Sequence, residues 1–193
     1  MKVFIPAFIL SLFIGTRVAA VDVSIGLHGG MVFLGPGGYF DERGVKTDAF
    51  FGRLTIDLGL WRTGGIQLSA SHDRTYEDYS NGDELRNIEI GLLLRQRLLG
   101  NDRLDIYGIL GPTLNFIEYD DPMDSSGMEF SGDVSRLGIC GGMGMAVALT
   151  DALDLVLDGR MNYFTFNRAD TEWHGTGKIG LGLALNLGEL TAN

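Results

Sequence analysis

The chain has 193 residues, enough for one domain of ordinary size, with 29 glycines, 4 prolines and a formal net charge of −10. Such acidity argues against nucleic acid as a partner, because a phosphate backbone demands a basic surface. The single cysteine, Cys140, permits no internal disulfide, and no run of eighteen apolar residues offers a transmembrane helix.

Residues 1–20, MKVFIPAFILSLFIGTRVAA, read as a secretory signal peptide. Lys2 is a short positive start, Val3 to Ile14 is the apolar stretch, and Val18-Ala19-Ala20 offers a small-residue cleavage site. Cleavage there removes Lys2 and Arg17, takes the net charge from −10 to −12, and leaves one domain over residues 21–193.

Eight segments follow, each with a period of two and one clean apolar parity, the mark of strands with two different environments. They run over about 21–34, 48–61, 65–77, 85–99, 103–119, 134–150, 153–167 and 176–188. Residues 62–64, 100–102 and 151–152 are short Gly-, Asn- and Asp-rich turns of the kind hairpins need. Longer connections at 35–47, 78–84, 120–133 and 168–175 alternate with them. This pattern predicts an all-β, eight-stranded antiparallel up-and-down meander that closes on itself and leaves no sheet edge.

Two barrels fit eight strands. A lipocalin-like carrier is apolar inside and polar outside, and a transmembrane barrel is the reverse. The second faces of 134–150 and 176–188 carry mostly Gly and Ala, too few charges for a water-facing surface. On the same parity elsewhere stand Arg53, Asp57, Asp73, Glu89, Arg95, Arg97, Asp105, Tyr107, Asp158 and Arg160, mixed in sign as an internally neutralised lumen requires. Ion pairs Arg53–Asp73 and Arg97–Asp105 are expected, each nearly symmetric about its turn. The opposite faces are Leu- and Ile-rich, and Phe33, Phe50, Tyr76, Phe116 and Tyr163 lie on them toward the long-connection ends as one interfacial girdle.

On this pattern the chain resembles the small eight-stranded bacterial outer-membrane barrels, the outer-membrane protein A and X types and the opacity-type surface proteins. The resemblance implies a monomer in the outer membrane of a Gram-negative-type cell, in contact with lipid and lipopolysaccharide. Its role would be structural, in envelope stability or in surface interaction, without an open pore. It also implies that Lys178, Gly180, Leu183 and Leu185 of the last strand form the signal read by the barrel-assembly machinery. Both chain ends and the three short turns are then expected on the periplasmic side.

The resemblance extends to membrane-embedded lipid A deacylases, which carry a His two residues before a Ser. Here Gly30, Arg74 and Thr176 follow His28, His72 and His174 at that spacing, so the motif is absent. In Ser71-His72-Asp73-Arg74, parity turns Ser71 and Asp73 inward and His72 and Arg74 outward, which separates nucleophile from base. No phosphate-loop motif or EF-hand spacing occurs, and no cofactor or metal is expected. Residues 118–133 hold six acids and no Lys or Arg; Asp120, Asp121, Asp124 and Glu129 read as a solvated acidic loop, or as a contact for a basic partner or for calcium. A lipid-modifying enzyme and a soluble lipocalin-like carrier remain the alternatives.

Overall fold

The computed structural model describes residues 21–34, 49–76, 84–101, 103–121, 130–165 and 173–190. The proposed leader, residues 1–20, lies outside them. Eight strands follow one another as β1 (Val21–Leu34), β2 (Ala49–Trp61), β3 (Gly64–Tyr76), β4 (Glu84–Gly100), β5 (Leu104–Asp121), β6 (Phe130–Thr150), β7 (Leu153–Thr165) and β8 (Trp173–Leu190). Each pairs antiparallel with its neighbour, and β1 pairs with β8, so the sheet closes as a barrel in sequence order. Closure lets the strands satisfy their backbone donors and acceptors within the sheet.

The alternation has its physical basis here. Leu27, Phe50, Leu92, Leu137, Met143 and Leu181 point outward and are exposed, whereas Arg53, Tyr107, Asn115, Asp158 and Lys178 point inward and are buried. A protein turned this way gains by placing its exterior in hydrocarbon. Inward glycines make room for the larger side chains. A Cβ on Gly180 would stand 2.6 Å from Phe51 Cζ, and one on Gly144 would collide with the Tyr107 ring.

The turns sit where the Gly, Asn and Asp residues pointed. Asn101 Oδ1 accepts the amide hydrogens of Arg103 and Leu104 at 2.9 and 3.0 Å, which closes the β4–β5 turn. Four irregularities lie near the short-turn end: between Val23 and Ser24 opposite Gly188, Gly59 and Trp61, Arg97 and Leu99, and Ala148 and Thr150. Gly188 takes a positive φ of 80°, a conformation that glycine adopts without strain.

At the other end β5 and β6 are longer than expected. Asp120 and Asp121 belong to β5, where their backbones pair with Ser131 and Phe130, so the connection expected at 120–133 is shorter than its acidic composition implied. Strand preference reflects packing more than the backbone itself, so an acidic composition does not by itself end a ladder. Asp124 and Glu129 lie outside the described residues. Glu84 likewise opens β4, and Trp173 opens β8.

Candidate functional site

Inward parity brings the predicted polar residues into one lumen at two levels. The waist is the buried level. Arg53 Nη1 donates to both carboxylate oxygens of Asp158 at 2.9 and 2.7 Å, and Arg160 Nε donates to the same carboxylate at 2.9 Å. Beside it, Lys178 Nζ donates to Asp73 Oδ1 at 2.6 Å, Glu89 Oε2 at 2.9 Å and Ser71 Oγ at 3.0 Å. Amides link the cluster to the far wall, with Asn162 Nδ2 donating to Glu89 and to Asn115 Oδ1, and Thr113 Oγ1 donating to Asn162 Oδ1. Three cations thus face three carboxylates, and the buried charge sums to zero, as burial of charge requires.

The Arg53–Asp73 pair expected from turn symmetry does not form. The β2–β3 ladder sets Arg53 opposite Ser71 and Asp73 opposite Phe51, two residues from the symmetric register. A shift of two preserves inward parity but changes the partner. Arg53 reaches across the lumen to β7 and Asp73 meets β8 instead.

The second level is the mouth at the short-turn end. Arg97 Nε donates to Asp105 Oδ1 at 2.6 Å, the second expected pair, and Arg95 Nη2 donates to Asp105 Oδ2 at 3.1 Å. Arg95 also lies 3.6 Å from Asp57, which accepts from Gln67 Nε2 at 2.7 Å. The Arg95 guanidinium stacks 4.0 Å from the Tyr107 ring centroid, and this pair forms the floor between mouth and waist. Below the floor opens a cavity of about 850 Å³. At the floor itself, between Tyr107, His28 and Gln67, the space shrinks to a pocket of about 30 Å³, room for a water molecule. The described lumen is therefore a cup with a packed waist.

Several of these residues were not singled out by sequence reading. Asn115, Asn162, Thr113, Gln67 and His28, which sits 3.2 Å from Thr55 Oγ1, all share the inward parity that marked the charged residues. Lys178, read as part of a terminal assembly signal, is the hub of the waist; of its companions Gly180 faces inward, while Leu183 and Leu185 face outward.

Outside, Phe33, Phe50, Phe116 and Tyr163 are exposed on the barrel surface toward the long-connection ends. Tyr76 ends β3, and its side chain lies outside the described positions. Trp61 is at the mouth, where its Nε1 donates to Gln96 Oε1 at 3.2 Å. Ser71 is buried inside and engaged by Lys178, whereas His72 faces out, so the two do not form a nucleophile–base pair. Lys178 is itself held as a cation between two carboxylates. Among the described residues no cluster of three or more His, Cys, Asp or Glu gathers as a metal site.

No family model matches the chain, and no curated protein does. Solved structures do. A major outer membrane protein from Thermus thermophilus aligns with a TM-score of 0.60 at 16% identity, over 86% of this chain and 99% of that one. Neisserial surface protein A (NspA) aligns with a TM-score of 0.58 at 15% identity, over 86% and 97%. Ail, the attachment invasion locus protein of Yersinia pestis, aligns with a TM-score of 0.53 at 15% identity, over 88% and 99%. Taken with strand order, closure and inverted polarity, these likenesses mean that the chain has the fold of the small eight-stranded outer-membrane barrels.

Proposed function

We propose that this chain is an integral outer-membrane β-barrel of a Gram-negative-type envelope, exported on a leader spanning residues 1–20 and embedded as a monomer over residues 21–193. Its role is structural or in surface interaction, without an open pore and without catalysis. The observation that carries this reading is the inversion of polarity. A Leu-, Ile- and Met-rich exterior encloses six buried charges. A soluble carrier needs the opposite arrangement to bind an apolar ligand and stay dissolved.

In this reading both chain ends and the short turns face the periplasm, and the long connections face outward. Phe33, Phe50, Tyr76, Phe116 and Tyr163 form the outer interfacial girdle. The barrel-assembly machinery reads Lys178, Gly180, Leu183 and Leu185 in β8. Surface and attachment proteins among the structural likenesses favour an exposed contact role for the long connections.

The test is cell fractionation with gel electrophoresis before and after boiling. The protein should travel with outer membranes and change mobility on boiling. Recovery in the soluble periplasm without detergent overturns the reading. In planar bilayers the purified barrel should show no stable open channel, and lipid A from expressing cells should keep its acyl-chain number by mass spectrometry.

A further inference from the structure

The cup at the short-turn end divides its charge between two halves. On the side of β2 to β5 its lining carries Arg62, Arg95, Arg97 and Arg103 against Asp57 and Asp105. On the side of β6, β7, β8 and β1 it carries Asp22, Asp151 and Asp154, with no Lys or Arg among the described residues. The strand order makes this division a diameter. The β2–β3 turn, with Arg62, and the β6–β7 turn, with Asp151, stand four strands apart in a closed ring of eight.

Each half keeps charge that no local partner cancels. Asp57 and Asp105 are both engaged by Arg95, and Asp105 also by Arg97. Arg97 uses its Nε on Asp105, so its terminal N–H donors remain for another acceptor. Arg97 N donates to the Thr63 carbonyl at 2.7 Å, which sets Arg97 beside the turn that carries Arg62. Arg62 is exposed there and has no ion pair among the described residues. Across the cup Asp151 is exposed and has none either. Asp154 has a neutral partner, Asn186, whose Nδ2 donates to Oδ2 at 3.1 Å.

Charges held apart in this way set a field across the cup, and low-dielectric walls focus it. A ligand with one charge loses at one wall what it gains at the other. A ligand with an anion at one end and a cation at the other gains at both. The volume of about 850 Å³ suits a ligand of small-molecule size. Three extended residues separate a terminal ammonium from a terminal carboxylate by about 10 Å. A single amino acid holds its two charges too close together to reach both walls. Trp61, tied to Gln96 through Nε1, adds a rigid apolar surface to the arginine wall.

We propose that the cup is a binding site for a short zwitterionic peptide, its carboxylate held by Arg62 and Arg97 and its ammonium by Asp151 and Asp154. The assignment goes beyond the surface role proposed above and holds whichever side of the membrane the short turns face.

The experiment titrates the full-chain barrel, folded in uncharged maltoside micelles, with trialanine by isothermal calorimetry. N-acetyl-trialanine, which lacks the cation, and trialanine amide, which lacks the anion, should each bind about tenfold or more weakly. Free alanine should bind as weakly as they do. R62S/R97S should no longer distinguish trialanine from its amide, and D151N/D154N should no longer distinguish it from the acetylated form. Absence of saturable trialanine binding overturns the proposal. So does equal affinity for the blocked peptides or for alanine, and so does an R62S/R97S variant that still discriminates against the amide. Should R62S/R97S not fold, R62S in its exposed turn decides, with undiminished discrimination as the negative result. Boiling shifts keep this reading apart from the barrel itself. A wild type that shifts normally yet binds no peptide removes the site and leaves the outer-membrane barrel.

Discussion

The waist and the mouth of the lumen use the same ion pairs in different surroundings. In the waist Arg53 is 1% exposed and Lys178 2%, whereas at the mouth the Arg97 side chain is 44% exposed. Arg53 holds Asp158 at 2.7 Å and Arg97 holds Asp105 at 2.6 Å, so distance does not distinguish them. Hydration does. At the mouth, water solvates whichever partner is left alone. In the waist the survivor stays buried with its charge, and the neutral sum of six groups is the quantity that matters. Ion-pair length is thus a poor guide to what a pair contributes in such a barrel.

The widest separation between the two levels is expected from K178M. It leaves Asp73 and Glu89 in a packed waist without their shared cation, and should cost about 3–5 kcal/mol of unfolding free energy in urea titrations from lipid vesicles. Adding D73N and E89Q to K178M should recover most of that loss. A triple variant as unstable as the single one would show that packing around Lys178, and not its charge, is what the waist needs.

Next in size is G144V, which forces side-chain atoms into the Tyr107 ring at the boundary between the levels. Overpacking of this kind should cost about 1–3 kcal/mol, and Y107A beside it should relieve the clash. D105N at the mouth should have the smallest effect, up to about 1 kcal/mol, and high salt should erase it. The K178M loss should persist in the same salt. A D105N penalty that matches K178M and ignores salt would break the comparison.

Most of the fold was legible in the sequence because a period of two reports which wall a side chain faces. Strand existence, order, closure and the inward set including Arg53, Glu89 and Asp158 follow from parity and the rhythm of the turns. Partnership does not. Turn symmetry offered Asp73 to Arg53, but the ladder slipped by two residues near the Gly59–Trp61 irregularity, and parity is blind to even slips. The decisive contacts also cross the lumen, from β2 to β7 and from β8 to β3 and β4, between residues 89 to 105 positions apart. Periodicity along a strand carries no information about what meets it across the barrel. Lys178 illustrates both points, since its face was plain in the sequence and its three partners were not.

The long β5–β6 ladder has a consequence of scale. Backbone pairing continues beyond Phe116 through Tyr119–Gly132 and Asp120–Ser131 to Asp121–Phe130. The strand ends Asp121 and Phe130 therefore stand on a braced stem, three strands wide as far as the Glu84–Asp120 pair, whose height is counted in residue pairs. Each pair adds about 3.3 Å along the strand. Lengthening or trimming the stem by matched pairs alters how far Asp121 and Phe130 stand from the bilayer while leaving the sequence between them untouched. An even number of pairs also keeps each side chain on its original face. The stem is in effect a ruler, and distance from the membrane can be varied on it independently of chemistry.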